Sequence, residues 1–225
     1  MITLQKTLGK QKFNEKEKEK IKKAYIFATK AHKGQTFGGG STANFIYHPR
    51  FVGYLLSKWN QNSEIVCAGL LHDVVEDSEV SLDTVRRLFG EKTAFYVDGM
   101  SWFLSWDNKE NKYAKDWPGY YKKFCTYIIQ DYKLVIIKAA DEWSKQGLPE
   151  NPKHLIESSG PRAKKFWIPF FKEVGLTKVS ALLEWKVNTF IKKIIKSELN
   201  QYISKRDLLI IKNKLKKTRG TEEIK

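Results

Sequence analysis

The run Leu70-Leu71-His72-Asp73-Val74-Val75-Glu76-Asp77 sets four ionisable side chains within six positions of an otherwise apolar segment. An adjacent His-Asp pair offers one imidazole nitrogen and one carboxylate oxygen, a start for a divalent-metal site. Ser63 to Glu76 reads as one helix, on which Glu76 stands four residues after His72 and Asp77 four after Asp73. His72 and Asp73 can then hold a metal while Glu76 and Asp77 stay free to handle the proton of a water. The competing reading is a helix end with exposed acids. Burying these groups unpaired would be costly, so the apolar setting calls for a metal or a polar network.

Two distant residues extend the set. His48 precedes Pro49 at a loop-to-helix junction, and Asp141 ends the apolar run Leu134–Ala140. His48, His72, Asp73 and Asp141 together give two nitrogens and two oxygens and leave room for water. Such a mixed site suits Mn²⁺, Fe²⁺ or Zn²⁺ better than Ca²⁺.

Helical patterns dominate the rest, so the expectation is an all-α domain. Asn14 caps a helix carrying Ile21, Ala24, Ala28 and Ala31 at helical spacing, and His32 to Thr42 breaks it as a loop. Further helices are expected over Pro49–Trp59, from Ser81 to the Gly90 stop, over Glu91–Phe103, Tyr120–Gln130 and Lys133–Trp143. The run Leu134–Ile137 alone fits a buried strand; its lack of a neighbouring β pattern favours helix. Helices over Pro161–Val174, Lys178–Lys196 and Lys205–Lys217 complete the chain, with polar loops from Phe103 to Pro118 and over Gln146–Ser159.

At 225 residues the chain can bury a sizeable core, and 41% hydrophobic content excludes a disordered chain. No uncharged apolar stretch reaches the ~18–20 residues of a membrane span. The N-terminus has no apolar signal region, and Cys67 and Cys125 alone make no disulfide framework, so the expected compartment is a reducing cytoplasm. The net charge of +16 is unevenly spread: residues 1–30 carry +6, residues 186–225 carry +8, and the stretch between only +2. Lys-rich ends can bind nucleic acid. With no aromatic-basic repeat or binding motif beside them, a solvated surface is the stronger reading.

Several segments resemble, in order, the HD-domain hydrolases of the RelA/SpoT type, which remove the 3′-pyrophosphate of guanosine tetra- and pentaphosphate alarmones. They are Ala31-His32-Lys33-Gly34-Gln35, Tyr47-His48-Pro49, Leu71-His72-Asp73-Val74-Val75-Glu76-Asp77-Ser78, Phe89-Gly90, Val97-Asp98-Gly99-Met100 and Lys138-Ala139-Ala140-Asp141. A weaker echo follows over Ile168–Leu176. The resemblance implies an HD-type helical bundle over residues 1–185, with a basic helical extension over 186–225 packed on or trailing from it. It implies one Mn²⁺ held by His48, His72, Asp73 and Asp141, and Glu76 and Asp77 as the catalytic acidic pair. The partner it implies is a small nucleotide. Since the chain ends without room for a synthetase domain, a stand-alone hydrolase is expected.

The nucleotide side departs from the family pattern. After Gln35 the usual basic pair is replaced by Phe37 and Gly38, the usual Asn four residues after Asp141 is Lys145, and the usual Arg after Asp141 is Glu142. Gln35, Phe37 and Lys145 are therefore the expected substrate contacts. Metal and catalytic positions are intact while the base-reading side is altered, which leaves guanosine alarmones, adenosine alarmones and NADPH as substrates. The alternative is a non-catalytic module that binds a nucleotide or a protein partner on the same scaffold. The sequence leaves the oligomeric state open.

Overall fold

The computed structural model describes residues 2–9, 13–36, 44–102, 104–107, 112–147, 160–187 and 203–217. Helix α1 is Leu4–Leu8, α2 Glu15–Ala31, α3 Tyr47–Lys58, α4 Ser63–Leu71, α5 Val74–Asp77, α6 Leu82–Phe89 and α7 Glu91–Met100. A two-stranded antiparallel hairpin follows, β1 Leu104–Asp107 and β2 Lys112–Lys115. Then come α8 Trp117–Gln130 and α9 Leu134–Gly147. In α10, Gly160–Arg162 and Ile168–Glu173 flank a π-wound turn Ala163–Trp167. Helices α11 Thr177–Val187 and α12 Lys205–Lys217 complete the described residues. Apart from the small hairpin the fold is helical, as the periodicity predicts.

Local chemistry sets the starts of these helices. Asn14 and Glu17 form a reciprocal capping box on α2, Oδ1 accepting from the Glu17 amide at 3.0 Å while the Glu17 carboxylate accepts from the Asn14 amide at 2.9 Å. Asn62, Ser81 and Asp116 cap α4, α6 and α8 in the same way, each accepting an orphan amide of the first turn. Gly90, at φ +89°, makes the sharp turn between α6 and α7 in a backbone region that favours glycine.

Apart from Glu64, every residue of helix α4 from Ser63 to Leu71 is buried, and the helix forms the centre of the core. It packs on α2, α3, α7 and α9. Two glycines let α3 and α4 approach closely: Gly53 lies under Leu70, and Gly69 under Leu56. The Leu134–Ile137 run is helical and buried in α9. On the far side of α9, aromatic rings of α8 and α10 interlock. Tyr121 stacks on Phe166 at 3.9 Å, and Phe124 meets Trp167 edge-on at 5.2 Å. Ile203, Leu208, Ile211 and Leu215, before and along α12, belong to the same buried cluster.

The structure corrects three expectations. The helix expected over Ser63–Glu76 is interrupted at His72-Asp73, where α4 ends and α5 begins. The His72 ring takes the Gly69 carbonyl at 2.8 Å, the acceptor a continuing helix would give to the Asp73 amide, and Asp73 turns to φ −97°, ψ −7°. The helix expected to reach Phe103 ends at Met100, where the Ser101 hydroxyl donates to the Val97 carbonyl at 2.9 Å and the backbone turns extended. The expected polar loop after it contains the hairpin, registered Leu104 to Lys115 and Asp107 to Lys112. Its Leu-Ser-Trp-Asp alternation is a strand period, too short to stand out from a polar neighbourhood.

Candidate metal centre and catalytic dyad

The break between α4 and α5 turns His72 and Asp73 inward together. His48 enters from the first turn of α3 and Asp141 from the middle of α9. All four are buried. His48 Nε2 lies 3.2 Å from His72 Nε2, 3.1 Å from Asp141 Oδ1 and 3.6 Å from Asp73 Oδ2. His72 Nε2 lies 3.1 Å from Asp73 Oδ1 and 3.6 Å from Asp141 Oδ1. Two ligands held ~2.1 Å from one ion, at ~90–110° to each other, lie ~3.0–3.4 Å apart. His48, His72 and Asp73 are spaced for one ion, and Asp141 Oδ1 lies beside both histidine nitrogens.

The surrounding bonds fix which atoms face inward. His72 Nδ1 donates to the Gly69 carbonyl at 2.8 Å and His48 Nδ1 shares a hydrogen bond with the Ser144 hydroxyl at 2.9 Å, so both Nε2 atoms are left for the centre. Asp141 Oδ2 accepts from Lys138 and Lys145, at 2.7 and 2.8 Å. Its other oxygen, Oδ1, is buried beside both histidines without a hydrogen-bond partner. A buried carboxylate oxygen without a donor is costly, and a cation at the centre satisfies it together with the two nitrogens. The donor set fits a divalent metal.

The charges agree. Burial disfavours a charged His72 ring, but Asp73 and then Asp141 outweigh it and push the imidazole up to about 9. Burial also works against the Asp141 carboxylate, but Lys138 and Lys145 prevail and hold it well below the usual range. The pocket thus favours positive charge on His72, while burial holds the neighbouring His48 ring below its usual value. Lys138 is buried over the Trp167 ring at 4.4 Å and also pairs with Glu142 at 2.8 Å. Glu142, the departure after Asp141, is therefore half of a buried ion pair rather than a surface replacement.

Beside the centre, Asp73, Glu76 and Asp77 bring carboxylate oxygens within 4.8 Å of one another. The Trp102 amide donates to Glu76 Oε1 at 2.8 Å. Burial, then the charge of Asp73, pushes Glu76 up to about 8, and burial with Asp73 raises Asp77 as well. A carboxyl group tuned towards neutral pH suits proton transfer.

Of the sequence-predicted residues, the structure groups His48, His72 and Asp73, sets Asp141 Oδ1 3.1 and 3.6 Å from the two histidine nitrogens, and groups Glu76 and Asp77 with Asp73. Gln35 reaches the same helix, donating from Nε2 to the Asp77 carbonyl. Lys145 is drawn onto Asp141. Phe37 lies outside the described residues. Tyr120 is buried among aromatic rings and Lys123 pairs with Asp98 at 2.6 Å, so both serve the α8 packing. Sequence reasoning missed Ser144, the Gly69 carbonyl and the Trp102 amide. Ser144 had a signal, standing one turn after Asp141 on the same helix face. Lys115 was also missed: it rests 3.8 Å over the Trp102 ring, and Glu76 and Asp77 lie within its field.

A buried His and His-Asp set closed by an aspartate from a later helix defines a metal-binding helical domain of the HD class. The HD-domain family model matches residues 24–145, more than half of the chain, and the chain belongs to that family. Among curated proteins it is 33% identical over 123 residues to the guanosine-3′,5′-bis(diphosphate) 3′-pyrophosphohydrolase of Spiroplasma citri, covering 55% of this chain and 16% of that one. It is 32% identical over 125 residues to the bifunctional (p)ppGpp synthase/hydrolase SpoT of Escherichia coli K12, covering 55% and 17%. The match to the Aquifex aeolicus guanosine-3′,5′-bis(diphosphate) 3′-pyrophosphohydrolase is 26% over 226 residues, covering 92% and 30%. The chain therefore spans less than a third of the length of these relatives. No helix among the described residues is long and apolar enough to cross a membrane.

Proposed function

We propose that this domain is a metal-dependent phosphohydrolase that releases pyrophosphate from a nucleotide of the guanosine 3′,5′-bis(diphosphate) type. The observation that carries this reading is the orphaned Asp141 Oδ1, facing two histidine nitrogens and Asp73, with a carboxyl dyad one helical turn away. His48, His72, Asp73 and Asp141 hold the ion, for which Mn²⁺ is the proposed choice. When bound, the ion supplies Lewis acidity, lowering the pKa of a coordinated water and neutralising charge on a phosphoryl oxygen.

The chain's own groups do the rest. Glu76, held by the Trp102 amide, takes the proton of the attacking water, and Asp77 shares its load. Gln35 fixes the backbone of that dyad, and its own carbonyl accepts from the Phe45 amide at 3.0 Å. Phe37 and Lys145 are proposed to meet the nucleotide, Lys145 with a charge the family pattern does not carry. The names of the relatives support the guanosine alarmone first.

The test is a hydrolysis screen on chelator-stripped protein reloaded with Mn²⁺, Fe²⁺ or Zn²⁺, with guanosine and adenosine alarmones and NADPH as substrates. Pyrophosphate or phosphate should be released, His72→Ala should lose the metal, and Glu76→Ala should keep the metal while losing turnover. No release from any substrate with any metal would sink the reading. A second reading, a binding module without turnover, draws support from the two ammonium groups on Asp141, which already neutralise much of the ligand's charge. Failure to retain any divalent ion would favour it.

A further inference from the structure

The peptide between Ser101 and Trp102 is gripped on both sides. Its N–H donates to Glu76 Oε1 at 2.8 Å, and its carbonyl accepts from Lys123 Nζ at 3.3 Å. The peptide is trans, so its N–H and C=O point in opposite directions within one rigid plane. A side chain that fixes the oxygen therefore also fixes the direction of the hydrogen. Lys123 on α8 and Glu76 on α5 are joined through two hydrogen bonds and this one plane.

The end of α7 explains why the peptide is turned this way. The helix stops at Met100, and Ser101 is extended at φ −77°, ψ 127°. The Ser101 amide still donates back to the Val97 and Asp98 carbonyls, at 3.1 and 3.0 Å. The next amide, that of Trp102, leaves the helix and reaches Glu76 instead. The Ser101 carbonyl is an acceptor at a helix C-terminus, where an ammonium is favoured by both its hydrogen bond and the helix dipole.

Lys123 is itself held in place. Its ammonium donates to Asp98 Oδ1 at 2.6 Å, and the Tyr127 hydroxyl donates to Asp98 Oδ2 at 2.5 Å. Lys123 and Tyr127 stand four residues apart on one face of α8, so a single α7 carboxylate anchors both. Gly99 permits the close approach: a Cβ there would lie 2.7 Å from Tyr127 Cδ1 and 2.6 Å from Leu134 Cδ2. The contact that packs α8 on α7 thus also aims the ammonium at the Ser101 carbonyl.

We infer that Lys123 is a positioning residue for the proposed reaction, orienting the Ser101–Trp102 peptide so that its N–H holds Glu76. The inference rests on the proposed role of Glu76 as the group that takes the proton of the water. An amide N–H only donates, so Oε1 is kept as the acceptor and Oε2 is the oxygen left for that proton. A cation on the carbonyl also polarises the peptide and strengthens its N–H as a donor. Lys123 does this without touching a metal ligand.

The test is NMR of the Trp102 amide in the isotope-labelled full chain, without metal or nucleotide. Lys123→Met keeps the length of the side chain and removes the ammonium. The Trp102 amide proton should then move upfield and exchange with solvent at least about fivefold faster, as for a weakened hydrogen bond. Lys123→Arg, which can still reach both oxygens, should restore the wild-type signal. Lys123→Gln, too short to reach both, repeats the test if the Met variant does not fold. Lys92→Met removes another ion pair from α7, the one to Asp131, and should leave the Trp102 amide unmoved. A Trp102 signal unchanged by loss of the Lys123 ammonium, or moved equally by Lys92→Met, would overturn the positioning role. In turnover assays Lys123→Met should lower kcat about ten- to a hundredfold at unchanged KM, with recovery in Lys123→Arg. A kcat equal to wild type in Lys123→Met would overturn it as well. The amide measurement needs no substrate, so failure of the positioning role and failure of the hydrolysis reading give different results.

Discussion

The Nε2 atoms of His48 and His72 face each other across 3.2 Å with both Nδ1 atoms already engaged. A proton on one ring can bridge the two nitrogens or turn to Asp141 Oδ1, 3.1 Å from His48 Nε2, but one proton does not serve all three atoms at once. Divalent-ion binding should therefore stabilise the fold. At a free-metal concentration about a hundredfold above Kd the gain is about 2.7 kcal/mol, or about 5–10 °C in Tm for a chain of this size. Differential scanning fluorimetry with and without chelator measures it. His72→Ala should abolish the shift, and an unchanged Tm in wild type would count against a metal centre.

Lys145 makes a second prediction, because its ammonium sits 2.8 Å from Asp141, the proposed ligand, while Lys138 already serves the same oxygen. Lys145→Asn keeps Asp141 partnered and removes a positive charge beside the ion. Divalent affinity should tighten about three- to tenfold, while KM for the nucleotide should rise if the ammonium meets a phosphate. Competition with a fluorescent chelator and steady-state kinetics read the two effects separately. Weaker metal binding in the variant would show that Lys145 positions Asp141 rather than opposing the ion.

How much of this could be read from the chain alone depends on the range of the cause. The clustering of His72, Asp73, His48 and Asp141 was legible as a candidate because an ionisable cluster in an apolar helix, and Asp141 at the end of an apolar run, both violate the local pattern. The break between α4 and α5 was not, since it depends on the His72 ring taking the Gly69 carbonyl, and the apolar period is the same with or without that bond. The hairpin was hidden by its length. Arg50 carried no signal at all: its partners Tyr25 and Thr29 lie on another helix, and only the packing of α2 on α3 makes it a held cation.

Gly69 ties the fold to the site. A Cβ there would run into the Leu56 side chain and lie 3.2 Å from Val52 Cγ1, while one at Gly53 would lie 2.6 Å from Leu70 Cδ2. Gly69→Ala should cost about 1–3 kcal/mol by overpacking. Because α3 carries His48 and α4 leads into His72, prying the two helices apart separates two ligands. Metal affinity should fall along with Tm, and more than in an exposed-surface variant of equal stability loss. Chemical denaturation and metal titration on the same variant check both, and a stability loss with unchanged metal affinity would show that the centre tolerates the shift.

Asp131 gives a prediction far from the site, with its sign set by its partners. Burial works to raise its pKa, but hydrogen bonds from Lys92, the Lys133 amide and Tyr96 prevail, and the carboxyl is held below the usual value. The Tyr96 hydroxyl donates to it at 2.8 Å and the Lys133 amide at 3.0 Å. A depressed folded pKa means the unfolded chain binds the proton first as pH falls, so the contribution is present above the unfolded value of ~3.9 and is lost as pH falls through the folded one. Asp131→Asn should therefore lower Tm at pH 7, and that difference should shrink as pH falls below the unfolded value. Thermal melts of both proteins across that range measure it, and a Tm gap that widens in acid would contradict the assigned ion pair.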